Sequence, residues 1–233
     1  MPFFGFDPTF LLLLPTLVFA MWAQSRVQGT YAQMSRVRAA NGMTGRDMAR
    51  SIMARHGIQD VTVEPVPGVL SDHYDPRVKK VRLSEGNYAG DSLAAIAVAA
   101  HEVGHVMQHA QGYAPLALRS AVAPVASFGS TLAFPLFFIG LFFFRGSPVA
   151  GTMMDIAILL FAGAVVFHLI TLPVEFDASR RALAELTSSG TIAPQEVAGA
   201  KKVLDAAALT YVAAAAMAAM QLLRLLILRG NRR

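Results

Sequence analysis

The chain contains no cysteine among its 233 residues. Disulfide bonds, thiolate nucleophiles and cysteine-based zinc sites are therefore excluded together. A metal ion bound by this protein must be held by histidine, aspartate or glutamate side chains, which are the other common ligands of zinc.

Charged residues are also scarce. They make up 15% of the chain, and hydrophobic residues make up 55%, whereas a typical globular protein has roughly 25% charged residues. This composition predicts an integral membrane protein. The net charge of +5 comes mainly from basic residues beside apolar segments, which favours anionic lipid rather than nucleic acid as their partner.

Four apolar segments approach or reach the length of about 20 residues that a helix needs to cross a bilayer. They cover residues 3–23, 120–144, 149–174 and 205–228. The first contains Asp7 but no basic residue, and no good cleavage site follows it, so we interpret it as an uncleaved anchor rather than a signal peptide. Only RGSP separates the second and third, which predicts a tight helical hairpin. Gln221 and Arg224 interrupt the fourth, so we expect three to four transmembrane helices.

A long polar region lies between the first and second apolar segments. Its sequence GRDMARSIMARHGI predicts an amphipathic helix with Ile52, Met53 and Ile58 on or near one face. The sequences VTVEPVPGVL and HYDPRVKKVRLS are typical of short strands. A Gly-Asp-Ser start signal then predicts an alanine-rich helix capped by Asp91 or Ser92.

The distribution of lysine and arginine predicts the orientation in the membrane, because cytoplasmic loops carry the excess of both. Eleven of the twenty lie in residues 24–119, four lie in residues 175–202, and one lies in the hairpin turn at 145–148. We therefore expect both larger loops to be cytoplasmic and the N-terminus to be external. The remaining four basic residues are Arg224, Arg229, Arg232 and Arg233. They agree less well with this orientation, because a fourth segment that spans the membrane would place most of them outside.

The sequence HEVGH at residues 101–105 is the pattern that most directly indicates chemistry. His101 and His105 are four residues apart, so on a helix they share one face and can direct their imidazoles at one zinc ion. Glu102 is rotated away from that face and suits a general base acting on a water molecule. The alternative is a pair of buried histidines that form hydrogen bonds in a membrane-domain core, but the capped helix with apolar residues before the motif favours zinc. Gly104 permits close backbone approach, at a modest cost in helix propensity.

A catalytic zinc usually has three protein ligands, and the extended motif with a third histidine is absent because Gln111 stands at its eleventh position. The candidate third ligands are Glu175, Asp177, Glu185 and Asp205. The position of Glu175 in the sequence favours zinc ligation only slightly over the alternative, a solvated carboxylate that pairs with Arg180 or Arg181. His109 lies roughly 80° around the helix from His101, which favours a packing or supporting role over ligation.

Several segments together resemble the YugP-type bacterial membrane zinc metallopeptidases. They are NGMTGRDMARSIM, HYDPRVKKVRLSEGNYAGDSLAAIAVAAHEVGH, HEVGHVMQHAQGYAPLALR and LPVEFDASRRAL. The likeness extends over most of the chain and is much more specific than HEVGH alone. It implies a multi-pass membrane peptidase in which His101, His105 and Glu175 bind zinc and Glu102 is the catalytic base.

A more distant resemblance is to the HtpX and CAAX-prenyl-protease group. In that group an aspartate typically follows the third ligand by four residues, whereas this chain has Ser179 there and Asp177 two residues after Glu175. The residues that hold the ligand histidines in place therefore cannot be carried over. His109 and Asp177 are the candidates for that supporting role.

Two alternatives to a surface-facing peptidase are open. An intramembrane protease of the site-2 type would need the HEVGH helix itself to span, but only eight uninterrupted apolar residues, 93–100, precede His101, and burying its polar residues in lipid is costly. A non-enzymatic transporter or scaffold would instead use Asp155 and His168, which lie inside the third apolar segment. For His168, an interhelical hydrogen bond is the simpler role.

The sequence thus predicts a mainly α, polytopic membrane protein with a cytoplasmic α+β, zincin-like metallopeptidase region. Its expected parts are an anchor at 1–23, the catalytic region at 24–119, a transmembrane hairpin at 120–174, a third-ligand segment at 175–202 and a C-terminal apolar helix with a basic tail at 203–233. We expect a Zn²⁺-dependent endopeptidase of the bacterial inner membrane that cleaves peptide or membrane-protein substrates. The strand predicted at 78–83 either binds extended peptide along its edge or lies inside a sheet.

Overall fold

The computed structural model describes residues 8–144, 146–188 and 190–231. Residues 3–7 of the first predicted span lie outside this range, as do three arginines of the charge analysis, Arg145, Arg232 and Arg233. The helices are a 3-10 turn at Pro8–Leu13, α1 (Leu14–Met34), α2 (Gly45–Arg55), α3 (Glu85–Ala89), α4 (Leu93–Ala110), α5 (Ala114–Phe143), α6 (Pro148–Ser188) and α7 (Val197–Gly230). The strands are β1 (Thr62–Val66), β2 (His73–Asp75) and β3 (Lys80–Ser84).

The chain forms two compact units. The first, called here the apolar unit, comprises Met1–Trp22, Leu118–Leu172 and Tyr211–Arg233, and the second, called the motif unit, comprises Ala23–Ala117 and Pro173–Thr210. The finer five-part division expected from the sequence stays a prediction. Helices α1, α5, α6 and α7 each contribute residues to both units.

Four helical stretches within the described residues are long and apolar enough to cross a membrane. They are Pro8–Met34, Ala114–Phe143, Pro148–Ser188 and Val197–Gly230. Large apolar side chains on them face outward, with Val18 65%, Phe128 67% and Leu159 74% exposed. Exposure of this extent is unfavourable in water and suits contact with lipid. The protein is therefore a membrane protein with four candidate spans.

Helices α6 and α7 extend beyond the apolar runs that predict them. The expected third span ends at residue 174, but α6 continues to Ser188, because residues 176–188 are rich in good helix formers and include no glycine or proline. Arg224 does not interrupt α7. Its Nε donates to Thr9 Oγ1 over 3.1 Å and its guanidinium lies 3.8 Å from the centre of the Phe10 ring.

The motif unit has its core between α2, α4 and the sheet. Thr44 caps α2 by accepting a hydrogen bond from the backbone nitrogen of Asp47, and the predicted apolar face is confirmed, with Ile52 and Met53 buried and Ile58 packed against the same core. Ser92, rather than Asp91, caps α4, because its side chain accepts from the backbone nitrogen of Ala95. These contacts fix the start of the helix that carries HEVGH.

The three strands form one sheet in the order β1-β3-β2. Strand β1 runs parallel to β3, from Thr62 opposite Lys80 to Val66 opposite Ser84. Strand β2 runs antiparallel to β3 on its other side. Of the two alternatives for the strand predicted at 78–83, the interior position is the correct one, because β3 is the central strand. Two of its side chains, Val81 and Leu83, are fully buried in the core.

Candidate active site

Helix α4 places the two motif histidines one turn apart on one face. Their rings lie 4.9 Å apart between centroids and meet edge-on at 82°. His105 is buried, and His101 is partly buried. Both are held on a helix whose preceding residues are almost all buried apolar side chains, so the histidine face has a rigid support.

Helix α6 brings a carboxylate to these histidines from a distant part of the chain, 74 positions after His101. Glu175 Oε2 lies 3.2 Å from His101 Nε2 and 3.4 Å from His105 Nε2. The side chain of Glu175 is 2% exposed. One potential ligand atom from each of the three residues lies within 4.8 Å of the others, so two nitrogen atoms and one oxygen atom converge on a single point.

Gly104 accounts for the close approach of α4 and α6. A Cβ atom at this position would lie 2.5 Å from the backbone oxygen of Ala178 and 3.1 Å from its Cα. A backbone oxygen cannot retreat as a flexible side chain can, so any larger residue would push the helices apart. The glycine inside HEVGH therefore determines how near α6, and with it Glu175, comes to the histidines.

The donor atoms of His101, His105 and Glu175 suit a zinc ion. Zinc binds histidine nitrogen and carboxylate oxygen at about 2.0–2.2 Å in a tetrahedron, which separates neighbouring ligand atoms by about 3.3 Å. The two nitrogen–oxygen distances, 3.2 and 3.4 Å, match this separation. A set of three protein ligands would leave one tetrahedral position for water or substrate, which is the pattern of catalytic rather than structural zinc sites.

Glu102 follows the first histidine of the HEVGH sequence and is buried. Burial raises the pKa of its carboxyl above the usual value, although the neighbouring His101 and His105 oppose this shift. An acidic group with a raised pKa is better matched to taking up and releasing a proton near neutral pH than a solvated one.

The other acidic candidates for the third ligand have different partners. Glu185 contacts Arg55 and His56, with its Oε1 2.8 Å from His56 Nε2. Asp205 pairs with Lys201 on the surface of α7. Asp177 is buried and contacts Arg180 and Arg181, which are the arginines that the alternative explanation assigned to Glu175.

His109 is exposed at the end of α4, and its Nδ1 lies 2.7 Å from the hydroxyl of Tyr74 on β2. Burial raises the pKa of Tyr74 to about 12, so the phenol stays protonated and can donate to this nitrogen. His109 is not part of the three-residue ligand group found among the described residues. Its hydrogen bond connects α4 to strand β2 of the sheet.

Sequence reasoning missed the two side chains that contact the histidines at their other ring nitrogens. Gln108 Oε1 lies 3.0 Å from His105 Nδ1, and Ser179 Oγ lies 3.2 Å from His101 Nδ1. Ser179 occupies the position at which the HtpX and CAAX-prenyl-protease group typically has an aspartate. In this chain the side chain near His101 Nδ1 is therefore a neutral hydroxyl rather than a carboxylate. Gln108 had a weaker signal, because it follows His105 by three residues and so falls on the same helix face.

Comparison with known proteins gives the class and then a particular relative. Residues 9–230 match the family described as "Putative neutral zinc metallopeptidase", and the chain belongs to this family. It is 46% identical over 222 residues to the "Putative membrane protease YugP" of Bacillus subtilis (strain 168), covering 95% of this chain and 96% of that protein. No solved structure matches. The resemblance drawn from the motifs is confirmed, and zinc is the metal that both the family and the ligand cluster indicate.

Proposed function

We propose that this protein is a membrane zinc endopeptidase that hydrolyses peptide bonds at the cytoplasmic surface of the bacterial inner membrane. His101, His105 and Glu175 are the zinc ligands, and Glu102 is the general base. The observation that carries the proposal is the convergence of three ligand atoms from α4 and α6 within 4.8 Å, beside a buried glutamate of the HEVGH sequence. In this proposal the motif unit is a zincin-like, gluzincin-type catalytic region.

The residues divide the chemistry of peptide hydrolysis between them. When bound, zinc lowers the pKa of water and polarises the scissile carbonyl. Glu102 accepts the proton that the attacking water loses and delivers it to the nitrogen of the departing amine. Ligand and base roles are separated on α4 because neighbouring positions of a helix face different directions.

Two observations favour a site at the membrane surface over a site within the bilayer. Helix α4 is not among the four candidate spans found in the described residues. Glu175 follows the apolar part of α6, at the point where the polar sequence EFDASRR begins. The transporter alternative gains no support from Asp155, whose side chain is about half exposed and pairs with Arg229 over 2.8 Å.

The catalytic assignment is tested by Glu102→Gln. We expect this variant to keep stoichiometric zinc and to lose nearly all peptide cleavage, by at least about a hundredfold, because it removes the base but no ligand. His105→Ala, the matched variant, should lose both. Zinc per chain by elemental analysis and cleavage of a peptide library measure the two quantities. Full turnover in Glu102→Gln would refute the mechanism.

The side of the membrane is tested with single cysteines, since the chain has none of its own. Gln59 and Gln195 are exposed and lie in the loops expected in the cytoplasm, whereas Ser147 lies in the turn expected outside. These sites are preferable to the neighbouring glycines at 57, 146 and 190, whose positive φ angles disfavour other residues. A membrane-impermeant thiol reagent should label only Ser147→Cys in intact cells. Labelling of Gln59→Cys would place the active site outside.

A further inference from the structure

Gln108 is a fully buried polar residue that contacts a proposed zinc ligand without being one. It lies on α4, one turn after His105, and none of its side chain is exposed. Its Oε1 lies 3.0 Å from His105 Nδ1, while its Nε2 donates to the backbone oxygen of Val174 over 2.8 Å and to Asp177 Oδ2 over 3.0 Å. Burying an amide this completely is unfavourable unless each polar atom has a partner, and here each has one.

The partners on α6 determine which way the amide points. A backbone oxygen and a carboxylate can only accept hydrogen bonds, so the group facing them must be the NH₂ end of the amide. Asp177 is in turn held by Arg180 and Arg181, which keep it ionised and in place. The oxygen of Gln108 is therefore directed at His105 and cannot exchange places with the nitrogen.

This orientation decides which nitrogen of His105 carries the proton. An amide oxygen only accepts, so His105 Nδ1 must carry a proton. In the neutral imidazole, which is the form that binds a metal, Nε2 then keeps its lone pair. His105 Nε2 is the atom that lies 3.4 Å from Glu175 Oε2, at the ligand position. The residues that set this arrangement, Val174 and Asp177, flank Glu175 on α6.

We propose that Gln108 is the positioning residue of His105: it holds the imidazole in the tautomer and direction needed to bind zinc, and it transmits the position of α6 to that ligand. The proposal rests on the function proposed above, in which His105 binds zinc. Helix α6 then acts twice on the metal site, directly through Glu175 and indirectly through Val174, Asp177 and Gln108. A buried amide serves this purpose better than a carboxylate because it can accept at one end and donate at the other.

Two substitutions of Gln108 separate positioning from packing. Gln108→Met keeps the size of the side chain but removes the acceptor, whereas Gln108→Glu keeps an acceptor toward His105 but places a carboxylate against Asp177. Gln195→Met is the matched control, because Gln195 is exposed. The full-length protein in detergent is measured for zinc affinity by chelator competition, for the absorption spectrum of its Co²⁺ form, and for melting temperature without metal.

If Gln108 positions His105, the two variants will rank in one order for zinc affinity and in the opposite order for melting temperature. Gln108→Met should bind zinc about 10–100-fold more weakly, as expected for loss of a partner that orients a metal-binding histidine, and should show an altered Co²⁺ spectrum. Gln108→Glu should bind zinc more tightly than Gln108→Met despite a lower melting temperature. If zinc affinity simply follows melting temperature, or if Gln108→Met binds zinc as the control does, the proposal is wrong.

His105→Ala distinguishes failure of this inference from failure of the proposed function. Loss of zinc in His105→Ala together with normal zinc affinity in Gln108→Met would overturn the positioning role alone. Retention of zinc in His105→Ala would overturn the ligand assignment and the inference together. Should Gln108→Glu not fold, the comparison of Gln108→Met with Gln195→Met still decides the question.

Discussion

The two units of this protein bury polar side chains in different ways. In the apolar unit, buried Arg224 contacts a threonine hydroxyl and an aromatic ring, and the ion pair between Asp155 and Arg229 stays partly exposed. In the motif unit, buried polar residues contact one another in a continuous series that leads from Glu175 through His105 and Gln108 to Asp177.

This difference shows where directional interactions are concentrated. The core of the apolar unit is formed by large apolar residues such as Phe137, Phe161 and Leu225. The motif unit places several hydrogen bonds in series, so displacing one member leaves another buried group without its partner. Equivalent substitutions should therefore have unequal effects in the two units, and zinc binding is the sensitive measure.

The largest effect is expected from Glu175→Ala. Removing a ligand should weaken zinc binding more than about 100-fold, because loss of a supporting partner alone is worth about 10–100-fold. Glu185→Ala is the matched control on the same helix, since Glu185 contacts His56 and Arg55 rather than the histidine pair. Chelator competition measures both variants. Equal zinc affinity in Glu175→Ala and the wild-type protein would remove Glu175 from the site and make Asp177 the next candidate.

A moderate effect is expected from Gly104→Ala. Its new methyl group would lie 2.5 Å from the backbone oxygen of Ala178, so α6 must move and carry Glu175 away from the histidines. We expect a loss of about 1–3 kcal/mol in the free energy of unfolding and about a tenfold loss of zinc affinity.

Gly163→Ala is the control in the apolar unit, because a Cβ there meets nothing within 4 Å. Replacing an unhindered helical glycine with alanine should leave stability unchanged or raise it slightly. Thermal unfolding of both variants in the same detergent tests the contrast. Similar destabilisation by the two would mean that contact with Ala178 is unimportant.

The smallest effect is expected from two aspartate-to-asparagine changes, one in each unit. Asp177→Asn should weaken zinc binding by about threefold, because Gln108 then donates to a neutral acceptor, which forms a weaker hydrogen bond than a carboxylate does. Asp155→Asn should change zinc affinity by less than about twofold, since its partner, Arg229, is not connected to the metal ligands by any described contact. An equal response of the two variants would argue against the series of buried contacts as the sensitive element.

Much of the architecture is predictable from local sequence. Apolar runs indicate the membrane helices, since the hydrocarbon core requires about 20 residues of helix. The spacing of His101 and His105 places them on one helix face whatever surrounds them, because the helical repeat alone decides it. The start of α4 at Ser92 follows from its capping side chain in the same local way.

What tertiary structure alone decides is which distant residues meet. Four acidic residues were candidates for the third ligand, and only the crossing of α4 and α6 at Gly104 brings Glu175 to the histidines while Asp177, two positions later, turns to Gln108. The central place of β3 depends likewise on its pairing with β1 and β2. Local sequence determines which residues share a helix face, because the helical repeat is a short-range property. The meeting of the histidines with Glu175, the order of the strands and the tautomer of His105 depend instead on contacts between segments far apart in the chain. No local pattern encodes those contacts.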